Sequence, residues 1–138
     1  MNIKYFEIAK KIATTLRRKR DDGKKNKYRV VALLIPRVGN EIFVGTNKMD
    51  KTHGGSPHPW KSIHAEFDAI LKVGRGYKAR KKIEGCDIYI YRETSYGQAL
   101  AKPCPVCFEM LKDYNVKNIF YSAPDGFYSY VKGKVHGS

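Results

Sequence analysis

From residue 3 to 20 apolar side chains recur at Ile3, Phe6, Ala9, Ile12, Ala13 and Leu16, a single helical stripe. The segment closes on "RRKR", cations suited to the negative end of a helix dipole, and Asp21, Asp22 and Gly23 break it. "KYRVVALLIP" is β-branched and apolar, which predicts a buried strand ended by Pro36. "GNEIFVG" predicts a second strand, joined to the first through a hairpin turn at "RVGN". "TNKMDKTHGGSPHPW" has no period and is rich in Gly, Pro and His, so a long loop is expected. Helical spacing returns at Ile63, Phe67 and Ile70 and predicts a helix to about Val73, with Ser62 as N-cap. "RGYKARKK" reads as a basic connector, "CDIYIYRE" as an alternating strand and "TSYGQALAKP" as a loop. A helix is expected from Cys104 to about Tyr114, then a strand at "VKNIFYSA", a tight turn at "PDG" and a returning strand at "FYSYVKG". The terminal "VHGS" is given no structural weight.

The resulting order, α-β-β-α-β-α-β-β, implies an α/β protein with a mixed sheet covered by helices. A chain of 138 residues suits one domain over residues 1–138, large enough to bury its own core. The 27 Lys and Arg against 13 Asp and Glu leave a net charge of +14, which attracts polyanions. Residues 17–29 carry eight cations and residues 72–82 carry six, the latter around Tyr77. Cations interleaved with aromatics suit a groove for single strands, and Lys102, Lys112 and Lys117 add to them. The longest apolar run, "VVALLI", is too short to span a bilayer, and no secretory signal is visible. A soluble, cytoplasmic protein is expected.

Three cysteines cannot all pair, and two stand as C-x-x-C, which favours a thiolate metal site in a reducing compartment. Cys86, opening a strand, is expected to be a small buried hydrophobe. Catalytic zinc takes three protein ligands and keeps one position for water. His64, Cys104 and Cys107 offer an imidazole and two thiols, both halves at helix starts, where thiolates are favoured electrostatically. Glu66 is two residues from His64, and on an ideal helix that spacing turns side chains about 200° apart. Spacing alone therefore does not aim Glu66 at the metal.

"HAE" at 64–66 followed by "PCPVC" at 103–107 resembles the zinc-dependent cytidine and deoxycytidylate deaminase superfamily, with its H-x-E and P-C-x-x-C signature. "GTN" at 45–47 is similar to the family's strand-end Gly-x-Asn. The resemblance implies a three-layer α/β/α fold on a five-stranded mixed sheet, with a C-terminal hairpin rather than a helix between the last two strands. It implies Zn²⁺ on His64, Cys104 and Cys107, and Glu66 moving protons while water replaces the amine of cytosine. Asn47 is implied as a sugar contact. Ala65, Trp60, His53 and Pro103 are further candidates for substrate contact. His53 and His58 could line the mouth, meet a phosphate or close the metal's fourth position.

Net charge separates the substrates. A free nucleoside gains nothing from +14, whereas a single-stranded polynucleotide gains affinity with each phosphate neutralised. Cytosine in single-stranded nucleic acid, DNA over RNA, is the expected substrate, with free cytidine, deoxycytidine or dCMP as the alternative. A non-catalytic zinc-stabilised nucleic-acid-binding module is the reading from another class. Oligomeric state is not legible.

Overall fold

The computed structural model describes residues 1–19, 28–49, 62–131 and 134–137. Helix α1 (Ile3–Lys19) is followed by strands β1 (Tyr28–Ile35), β2 (Phe43–Thr46), β3 (Lys48–Met49) and β4 (Ser62–Ile63). Helices α2 (Ala65–Val73) and α3 (Gly76–Ile83) lead to β5 (Asp87–Thr94) and β6 (Gly97–Ala99). Helix α4 (Pro105–Asp113) precedes β7 (Asn118–Ala123), β8 (Gly126–Val131) and β9 (Lys134–Gly137).

The five strands expected from the sequence lie side by side as β2-β1-β5-β7-β8. Only β5 and β7 run parallel; the other neighbours are antiparallel, and β7 and β8 form the expected hairpin. The sheet is wider than five strands. β9 pairs with β8 at the edge, so the terminal residues do have a structural place, and β6 folds back on β5 inside the segment expected as a loop. β3 and β4 form a separate two-stranded sheet.

Alternation decides the layers. Val31, Leu33, Tyr89, Tyr91 and Phe120 face Phe6, Ala9 and Ala13 of α1. Ala32, Leu34, Ile88, Ile90, Ile119 and Tyr121 face the opposite layer, packing with Phe67, Ile70, Ile83, Met110 and Leu111 of α2, α3 and α4. Odd and even positions on each strand thus go to different sides, as pleating requires, and both faces are dry. The terminal hairpin follows the same rule: Phe127 stacks on Phe6 at 4.1 Å, while Tyr128 and Tyr130 pack on the other face. Cys86 is buried, as expected.

Two local expectations fail for identifiable reasons. The basic connector is helix α3: Ala79 and Ile83, four apart, are buried beneath a cationic surface, and two apolar residues suffice to hold so short a helix. The N-cap of α2 is His64 rather than Ser62, because Ser62 and Ile63 are still extended in β4.

The segment before Cys104 is fastened by one buried hydroxyl. Ser122 donates to the Ala99 carbonyl at 2.8 Å and accepts the Arg92 N–H at 3.1 Å. The Ala101 N–H donates to the Ser122 carbonyl at 2.8 Å, and the Gln98 amide reaches the Ala123 carbonyl at 2.6 Å. β6 is thereby laced to the β7–β8 turn, and the route into α4 is fixed.

Candidate metal centre and catalytic site

The site lies where β1 begins, β2 ends and β5 ends. Val31 is registered with Thr46 and Tyr28 with Thr94, so these three chain positions share one end of the sheet. His64 and Cys104 are the N-caps of α2 and α4. His64 has extended backbone (φ −72°, ψ 151°) and makes no capping hydrogen bond with its side chain. Pro105 opens α4 at a position where the missing N–H is no loss, and the Cys104 sulfur accepts the Cys107 N–H at 3.4 Å. C-x-x-C at a helix start therefore folds both sulfurs toward one point.

Nδ1 of His64 lies 3.4 Å from Sγ of Cys107, and the donor atoms of His64, Cys104 and Cys107 all fall within 4.8 Å of one another. Tetrahedral zinc with Zn–N of about 2.0 Å and Zn–S of about 2.3 Å sets its nitrogen and sulfur ligands roughly 3.5 Å apart. The observed spacing fits that ion. Soft thiols with one imidazole are also the donor set zinc prefers.

Charge makes the same demand. Burial pushes the Cys107 thiol well above its ordinary range, and the Glu66 carboxylate and Cys104 add to the shift. A dication among the donors would offset this, because a coordinating thiol gives up its proton.

Glu66 is 5 % exposed, and burial raises its carboxyl pKa, while its own backbone N–H and the Cys107 thiol pull it back. A carboxyl whose proton affinity is raised by burial is suited to general acid–base work. The contact with Cys107 places Glu66 beside the donor cluster, although it is not one of the three donors. The ideal-helix objection disappears because His64 is extended and outside the helix.

Asn47 follows β2 and is held by two bonds to Val30: its Oδ1 accepts the Val30 N–H at 2.8 Å, and its own N–H donates to the Val30 carbonyl at 3.2 Å. The oxygen is thus committed to the sheet, and any substrate contact falls to the Nδ2 side of the amide. Ala65 and Pro103 are buried beside the ligating residues. His53, His58 and Trp60 lie outside the described residues.

Sequence reasoning missed Asp68. Buried on α2, it accepts the Thr46 N–H at 3.0 Å, clamping the free edge of β2 next to Asn47. An Asp two residues beyond H-x-E was the available signal, because a carboxylate on a buried helix face needs a donor. Asp68→Ala should cost about 1–3 kcal/mol by stranding that N–H. Asp68→Asn, which keeps an acceptor, should recover most of it, as read from denaturation midpoints.

The basic runs separate. α3 starts beyond the C-terminal end of α2, roughly 13 Å of helix away from His64. Arg29, at the end of the other run, is buried in an ion pair with Glu93 at 3.1 Å. A hollow of about 390 Å³ between the β1–β2 turn and α3 lies at the far end of the sheet and plays no part in this site. Among the described residues, no helix is long and apolar enough to cross a membrane.

Comparisons with known proteins bear on the same residues. The family model described as "Cytidine and deoxycytidylate deaminase zinc-binding region" matches residues 3–123. A comparison with curated protein sequences gives no match. Among solved structures, the chain is similar to the apo dCMP deaminase from the cyanophage S-TIM5, with 20 % identity, 88 % of this chain and 84 % of that one covered and a TM-score of 0.52. It is similar to the cytidine deaminase of Mycobacterium leprae, with 17 % identity, 90 % and 92 % coverage and a TM-score of 0.52. The cytidine deaminase of Burkholderia pseudomallei gives 19 % identity, 94 % and 88 % coverage and a TM-score of 0.50. At such identities the structural likeness speaks for the fold. The family match spans most of the sequence, and the chain therefore belongs to the cytidine and deoxycytidylate deaminase family, zinc-dependent deaminases of cytosine-type substrates.

Proposed function

We propose that the chain acts as a single catalytic domain that hydrolyses cytosine to uracil and ammonia, with cytosine in single-stranded polynucleotide, DNA over RNA, as its preferred substrate. The observation that carries the chemistry is the buried Glu66 carboxyl beside the three-donor cluster. When bound, zinc supplies a Lewis acid that lowers the pKa of a coordinated water toward about 7. His64, Cys104 and Cys107 would hold it. Glu66 passes one proton of the attacking water to the ring nitrogen, then passes the proton of the new C4 hydroxyl to the amine, which leaves as ammonia while C4 becomes the carbonyl of uracil. Asn47, its oxygen anchored on Val30, offers Nδ2 to the sugar. Thiol ligands suit a reducing, cytoplasmic setting.

Charge supports the polynucleotide, since an excess of fourteen cations favours a ligand with many phosphates. The fold neighbours favour a second reading, because two are named as cytidine deaminases and one as a dCMP deaminase. A panel of single-stranded oligonucleotide, cytidine and dCMP, assayed for uracil at low and moderate salt, separates them. The expected result is faster conversion of the oligonucleotide, steeply suppressed by salt. Equal or faster conversion of dCMP, with little salt effect, overturns that preference and leaves the free-nucleotide reading.

A further inference from the structure

Three large apolar side chains stand in solvent within one short segment: Tyr96 is 99 % exposed, Leu100 50 % and Val106 39 %. The segment begins at the β5–β6 turn and ends in the first turn of α4, so it runs directly into Cys104. Lys102, also exposed, follows Leu100 along the chain, with its Nζ 5.3 Å from the Tyr130 ring. Exposed apolar groups on a rigid backbone are costly to keep unless something covers them. This backbone is rigid: the Ser122 and Gln98 bonds lace β6 to the β7–β8 turn, and the Arg92 guanidinium donates to the Leu100 carbonyl at 3.4 Å. The hairpin does not fill the core, since β6 is only half-buried.

We infer that the β5–β6 hairpin and the strand after it form a platform for the nucleotides flanking the target cytosine. Tyr96 and Leu100 lie under flanking bases, and Lys102 meets a backbone phosphate. The occupant is a single-stranded nucleic acid because exposed apolar faces and a cation stand together on the stretch of chain that leads into Cys104, in a chain of net charge +14. Rings and aliphatic faces bind bases of any sequence, while cations follow the backbone. This rests on the polynucleotide reading given above.

The test compares a single-stranded DNA oligonucleotide bearing one central cytosine with dCMP, using full-length zinc-loaded enzyme. Tyr96→Ala and Leu100→Ser should each lower kcat/KM on the oligonucleotide about 5- to 100-fold, the range of one lost base stack. Both should leave dCMP within about two-fold of wild type, because stacking of a flanking base is absent from a mononucleotide. Lys102→Gln should flatten the salt dependence on the oligonucleotide by about one phosphate contact. Equal losses on both substrates would overturn the platform and make the segment a support for Cys104. Unchanged activity on an oligonucleotide that wild type converts would overturn it too. A shift in oligomeric state with these variants, read by gel filtration, would overturn it in favour of a contact between copies of the chain. Wild type that converts dCMP but no oligonucleotide removes the polynucleotide reading itself, an outcome distinct from the others.

Discussion

Glu66→Gln is expected to lose at least about 10²- to 10⁴-fold in the rate of ammonia release, the usual worth of a positioned general acid–base, while retaining its zinc. The substitution keeps the volume of a side chain that is 5 % exposed, so packing survives. It removes the group whose proton affinity burial has raised beside Cys107. Zinc content should hold because Glu66 stands outside the donor group of His64, Cys104 and Cys107. Metal analysis and an ammonia assay on the same preparation decide the matter. Loss of zinc would make Glu66 a ligand. Wild-type turnover would remove its catalytic role. A wild-type protein that holds zinc and releases no ammonia from any cytosine substrate would leave the nucleic-acid-binding module standing.

Gly45→Ala is expected to damage the same site from the opposite side. A Cβ at Gly45 would land on the Ala65 carbonyl oxygen and the Ala69 nitrogen, and 2.8 Å from the Ala69 Cα. All three are backbone atoms of α2, so no side chain can rotate aside. The helix must lift from β2, stretching the Asp68–Thr46 bond and carrying His64 and Glu66 away from the cysteines. A cost of about 3 kcal/mol or more is expected, at the upper end for overpacking, with a fall in Tm of roughly 10 °C. Zinc retention should fall alongside. Unchanged Tm and zinc content would show that α2 can shift without cost, and the close-approach argument would fail.

These two positions mark how far the sequence could be read. His64 and C-x-x-C were legible because zinc chemistry restricts donor type and spacing, and Glu66 through its resemblance to the family's H-x-E. The five main strands were legible because each alternates or runs apolar over a length no loop would have. α3 was missed because its two buried residues are outnumbered by cations, so composition hid the period. β6 was missed because a three-residue strand has no pattern of its own; it exists through the Ser122 hydroxyl on the Ala99 carbonyl and the Gln98 amide on the Ala123 carbonyl, both partners coming from elsewhere in the chain. Asp68 escaped notice because its partner, Thr46, is 22 residues away.

By itself the sequence carried the order of the five main strands and of α1, α2 and α4 through local period, the three donors through residue type, and the accompanying acid through its resemblance to the deaminase signature. Only the tertiary structure decided where that acid points, that Gly45 admits α2 against the sheet, and that the basic run around Tyr77 lies away from the metal donors while Arg29 is buried against Glu93. The physical reason is that each of these depends on contacts between segments far apart along the chain, and a local period carries no information about which distant backbone will close over it.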